Sequence, residues 1–250
     1  MKKIIACASM MLVMAVGAMA AGTVKTPNCG NCGGTPTYQN YGPWQSGQGG
    51  EFTLIVVAGN DIRLADYSSL VKNQGGTSQS FQTFCIEENE YIYANTTSGY
   101  YLSNTADAGG VSGGPMDPLS KGTAWLYSKF AKGLLGNYDY TNTSPAGARY
   151  TDAALLQQAF WYLENEITAL PSANKFFNAV VTNFGTEAAA RTNANGAYGV
   201  AAVNIFNPST GQKQQTQLAL VPDAGFTLAL LGFGLVGLVV FSRKFGHVQQ

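Results

Sequence analysis

The order of elements along the chain predicts an α+β fold: a β-sandwich or barrel with an inserted helical subdomain, plus a C-terminal transmembrane helix. Three observations carry this. Aromatic and β-branched runs lie before residue 94 and return after residue 199. Stretches of helical periodicity separate them. Near the C-terminus an uncharged apolar run, Phe226 to Phe241, stops at Arg243-Lys244.

The elements follow in order. Met1-Lys2-Lys3, an apolar run from Ile4 to Gly17, and Ala18-Met19-Ala20 have the three parts of a signal peptide, so residues 1–20 are expected to be removed. Residues 21–50 are rich in Gly, Pro, Asn and Gln and read as a poorly ordered lead-in. Residues 51–220 form the exported domain. Within it, Glu51–Val57 is apolar enough for a strand buried on both faces, while Asp61–Leu64 and Tyr67–Val71 are weaker strand candidates. Ser80–Tyr93 reads as a strand pair or one long strand. A Gly-rich loop spans Asn104–Pro118. Helices are expected to start at Asp117-Pro118 with an apolar stripe over Thr123–Gly133, over Ala153–Ile167 behind Thr151, and over Ala173–Phe184 behind Ser172, with a polar loop at Asn137–Arg149. Gly199–Phe206 and Gln215–Val221 read as closing strands.

Residues 221–250 are a sorting tail. About 18 residues from Ala224 to Phe241, at about 1.5 Å each, give roughly 27 Å of helix, enough to cross a bilayer. The basic pair behind it favours a cytoplasmic C-terminus before processing. Val221-Pro222-Asp223-Ala224-Gly225, the Gly-rich span and Arg243-Lys244 resemble the PEP-CTERM class of sorting signals, in the variant that reads Val-Pro-Asp-Ser-Gly, with Ala224 in place of Ser. That resemblance implies an exported protein of a Gram-negative bacterium, processed by an exosortase-like enzyme and associated with exopolysaccharide. The Gly232-Phe233-Gly234-Leu235-Val236-Gly237 run inside the span also fits a dinucleotide fingerprint, but neither the strand before it nor the acidic residue after it is present. Small residues there suit close helix packing.

Composition narrows the function classes. Only 11% of residues are charged, and Lys+Arg equal Asp+Glu at 14 each, so nothing attracts nucleic acid. The one histidine, His247, lies in the tail, which leaves the exported domain without His-based triads or metal sites. No metal and no cofactor is expected. The cysteines are Cys7, lost with the signal peptide, and Cys29, Cys32 and Cys85. Cys29-Gly-Asn-Cys32 is a candidate local disulfide in a Gly-rich segment, which leaves Cys85 over, and an odd exported Cys calls for a specific explanation. Cys85 pairing with Cys29 or Cys32, or serving as a small buried hydrophobe, are the plain alternatives.

Two short motifs offer a further explanation. Phe84-Cys85-Ile86 is an aromatic-Cys-aliphatic triplet, and Gln157-Gln158-Ala159-Phe160-Trp161 lies on an expected helix. Together they resemble the thioester domain of bacterial surface adhesins. The resemblance implies a thioester between Cys85 and Gln157, packed by Phe84, Phe160 and Trp161, that captures an amine or hydroxyl on a target surface. Such capture is single-turnover covalent attachment, not enzymatic catalysis. Gln158 is the runner-up partner. A non-reactive surface or matrix protein associated with exopolysaccharide is the alternative function. The carboxylates Glu87, Glu88, Glu90, Glu164 and Glu166 flank the two motifs and would suit glycosidic hydrolysis if a pair stood about 5–9 Å apart.

Overall fold

The computed structural model describes residues 21–27, 49–59, 61–64, 67–68, 70–71, 79–93, 95–107, 116–141, 147–170 and 173–221. Its strands are β1 (Ala21–Lys25), β2 (Phe52–Ala58), β3 (Ser80–Thr83), β4 (Thr97–Ser103), β5 (Thr105–Ala106), β6 (Asp117–Pro118), β7 (Val200–Phe206) and β8 (Gln217–Leu220). Six of them form one antiparallel sheet in the order β3-β2-β1-β4-β7-β8, and β5 pairs with β6 beside it.

The two ends of this order meet. Beyond β3, Ile86 N–H donates to the Thr216 carbonyl (2.9 Å) and Leu218 N–H donates to the Phe84 carbonyl (3.2 Å). The Thr83 hydroxyl donates to the Leu218 carbonyl at 2.6 Å. The sheet is therefore a nearly closed barrel, with few open strand edges to manage.

The helical insert lies between β6 and β7: α1 (Lys121–Ala131), α2 (Ala148–Leu163), α3 (Lys175–Phe184) and α4 (Glu187–Ala190). Three of the four start on a side-chain cap. Ser120 accepts from Thr123 N–H, Asn174 from Phe176 and Phe177 N–H, and Thr186 from Ala189 N–H. Packing of α1 and α2 on the barrel centres on Phe84, whose ring meets Phe130 edge-on at 4.9 Å and Phe160 at 5.2 Å.

Several expected boundaries moved. The first residues of the expected lead-in, Ala21–Lys25, are a strand inside the sheet between β2 and β4, because a Thr-Val-Lys stretch flanked by two partners gains a full ladder of hydrogen bonds. Asp61–Leu64 and Tyr67–Val71 form bends and turns rather than strands, and Ser80–Tyr93 shortens to β3 plus a bridge at Cys85. Asp117–Pro118 pairs as β6, and α1 starts behind Ser120 instead. The second helix begins earlier, at Ala148, and the third is capped by Asn174. Strand β4, Thr-Ser-Gly-Tyr-Tyr-Leu-Ser, was not expected. Among the described residues no helix is long and apolar enough to cross a membrane. The expected signal peptide and the transmembrane part of the tail lie outside the described residues.

A buried polar network ties the insert to the sheet. Arg149, in the first turn of α2, grips Glu51 at the start of β2: Nη2 to Oε1 at 2.5 Å and Nε to Oε2 at 3.0 Å. Both are essentially fully buried. Tyr138 donates to Glu51 Oε2 at 2.5 Å and Gln82 Nε2 donates to Oε1 at 2.7 Å. Bidentate geometry and these extra donors are what make a desolvated pair tolerable. Arg149→Met should lower stability in urea unfolding by about 3–5 kcal/mol, since it strands a buried carboxylate, whereas Arg149→Met with Glu51→Leu should recover most of the loss.

Candidate functional site

Cys85 lies just past β3, where the barrel closes on β8. It bridges Gln217, and the flanking bonds Ile86 N–H to Thr216 and Leu218 N–H to Phe84 make this a non-hydrogen-bonded pair. Cys85's own N–H and C=O therefore point away from β8, to the side where no strand follows. Buried backbone groups must find partners. Gln157, on α2, supplies both. Its Oε1 accepts from Cys85 N–H at 3.1 Å and its Nε2 donates to the Cys85 carbonyl at 2.7 Å. One side-chain carboxamide thus stands in for the peptide of a missing strand.

The site is dry. Gln157 is fully buried and Cys85 is a buried free thiol. Burial pushes the thiol pKa well up, and a hydrogen bond from Gln217 to the sulfur offsets only part of that. Phe84 and Phe160 are fully buried and meet edge-on, and Trp161 is buried one turn beyond Gln157 on α2. The indole Nε1 of Trp161 has no hydrogen-bond partner.

Gly49 closes the other side of Gln157. A Cβ at Gly49 would stand 2.5 Å from Gln157 Cγ and 2.9 Å from the Trp161 ring, and the backbone there has φ +50°. Only glycine fits so close an approach in that conformation. The residue fell within the expected lead-in, and no local pattern marked it. Gln217 fell within the expected closing strand Gln215–Val221, and no local pattern marked it among the several glutamines from Gln212 to Gln217.

The remaining expected residues fall as follows. Gln158 is not among the partners of Cys85. Glu87 is buried and accepts from Thr216 N–H at 2.6 Å and from its hydroxyl at 2.9 Å. Glu166 accepts from Glu88 N–H at 3.1 Å. Glu164 caps the entry to α1, accepting from Ser120 N–H at 3.1 Å. These carboxylates are engaged in holding backbone. Val221 follows β8 directly and donates to the Gly199 carbonyl at 2.9 Å. Cys29 and Cys32, Pro222 to Gly225, and Arg243 and Lys244 lie outside the described residues.

Residues 221–245 match the VPDSG-CTERM motif. The match covers the tail alone and points to an exported, surface-sorted protein processed through an exosortase. No curated protein and no solved structure matches the chain.

Two predictions follow from these contacts. Gly49→Ala should destabilise the domain by about 1–3 kcal/mol in urea unfolding, through strain and collision with Gln157. Burial raises the Glu164 pKa from 4.5 to about 7. A carboxyl whose folded pKa lies above its unfolded one contributes stability that is complete below about pH 4.5 and is lost as pH rises through about 7. Relative to Glu164→Gln, the wild type should thus lose up to about 3 kcal/mol between pH 4.5 and 8 in pH-stepped urea melts.

Proposed function

We propose that this exported, tail-sorted protein attaches covalently to a surface through a thioester between Cys85 and Gln157. The observation that carries the reading is the double hydrogen bond by which the buried Gln157 carboxamide is fixed on buried Cys85. An amide is a poor electrophile, so the reaction needs a held partner rather than a diffusing one.

In the forming step, Cys85 Sγ attacks Gln157 Cδ. The C–S bond forms, the C–N bond breaks, and the nitrogen leaves as ammonia with the thiol proton. Negative charge gathers on Gln157 Oε1 in the tetrahedral intermediate, and Cys85 N–H already donates to that oxygen. The Cys85 carbonyl meanwhile orients the leaving nitrogen. Phe84, Phe160 and Trp161 exclude water and so protect the product from hydrolysis. In the capture step, an amine or hydroxyl on the target attacks Gln157 Cδ. The C–S bond breaks, an amide or ester forms, and the proton of the nucleophile ends on Cys85 Sγ. The protein acts once, and the tail fixes where it acts.

Intact-mass measurement of the mature chain tests this. The expected mass is the sequence mass less one ammonia, and methylamine should then add to the protein. Cys85→Ala and Gln157→Ala should both show the unaltered sequence mass and no adduct. A wild-type chain at full mass that takes up no methylamine would leave a non-reactive surface or exopolysaccharide-matrix protein as the function.

A further inference from the structure

Gln217 stands directly across the barrel seam from Cys85. In a non-hydrogen-bonded antiparallel pair the two Cα atoms approach to about 4.5 Å and the side chains lie on one face. Gln217 is fully buried, and its amide lies close enough to the Cys85 sulfur to favour the thiolate. Its Nε2 also reaches Gln215 Oε1, at 3.4 Å. Its Oε1 accepts nothing, although it is buried. A buried amide oxygen with no partner is costly, and folded chains rarely keep one without a use. Few such atoms occur among the described residues, and a second one, Trp161 Nε1, sits one helical turn beyond Gln157. An open acceptor and an open donor thus belong to two residues near the Cys85–Gln157 pair.

We propose that Gln217 is a positioning residue for nucleophile capture: its Oε1 accepts an N–H or O–H of an incoming primary amine or alcohol while the other end of the carboxamide steadies the Cys85 sulfur. The proposal rests on the thioester reading. A carboxamide is no base, so Gln217 orients and does not deprotonate. The incoming group donates one hydrogen to Oε1, and its lone pair turns toward Gln157 Cδ. The C–S bond then breaks, and the proton passes to Cys85 Sγ, whose buried thiolate takes it readily. The class of target is an uncharged primary amine or a hydroxyl, each with a hydrogen to donate. An ammonium ion has no lone pair and is poorly suited to so buried a site.

The test is Gln217→Met in the full mature chain, with three readouts: ammonia loss by intact mass, the rate of methylamine capture, and the melting temperature. Methionine keeps the length of the side chain and removes both polar atoms. The expected result is ammonia loss as in the wild type, capture slowed about tenfold, as for one lost hydrogen bond, and a melting temperature unchanged or higher. A merely structural glutamine would behave differently: a Gln217→Met chain that melts lower or does not fold overturns the proposal. Capture at the wild-type rate also overturns it, while leaving the thioester intact. A wild-type chain that loses no ammonia removes both readings together.

Discussion

The bidentate contact between Arg149 and Glu51 organises the molecule. It joins the first turn of α2 to the residue just before β2, and it does so with both charges out of water. The desolvation cost is met by Tyr138 and Gln82, which complete the hydrogen bonding of the carboxylate. From Gln82 the network runs on: its carbonyl accepts from Tyr127 at 2.9 Å, and Tyr127 and Tyr67 share a hydrogen bond at 2.5 Å. Leu220 N–H then meets the Tyr67 hydroxyl at 3.4 Å. A helix start, three strands and the barrel seam are thereby held in one register. With α2 fixed at Arg149, Gln157 two turns later has little freedom in where it points.

That register creates an unusual local need. The sheet ends at Cys85 with one backbone edge open and buried, and a side chain fills it. A hydrophobic residue at 157 would leave an N–H and a C=O without partners, each a loss of about 1–3 kcal/mol. The requirement for a carboxamide is thus structural before it is chemical, and the proposed chemistry uses a group that the fold already demands. Gly49 and Trp161 then close the space beside it.

Local pattern made the apolar strands and the main helices readable. Strands β2, β7 and β8 are short runs of alternating or continuous apolar residues, and α1 to α3 carry apolar stripes. Strand β4 has Thr, Ser and Gly at the positions such a search depends on, and β1 is only five residues in Gly-rich surroundings. Both owe their conformation to neighbouring strands rather than to their own composition. The proximity of Cys85 and Gln157 was suggested by two motifs. Gln217 and Gly49 were not, because a glutamine opposite a thiol and a glycine against a carboxamide become special only once distant segments meet. The buried pairing of Glu51 with Arg149 is hidden for the same reason: 98 residues separate them.

Strand β8 ends at Leu220, and the sorting motif starts at the next residue. Any pull on the tail therefore enters the domain through β8 and reaches its ladder with β7. Paired strands drawn lengthwise must break several hydrogen bonds at once, whereas strands peeled from one end release them singly. Gln217, opposite Cys85, lies only four positions from the point of loading. Tension between the tail and a target held on Gln157 would thus run from β8 across the barrel seam into α2 of the helical insert.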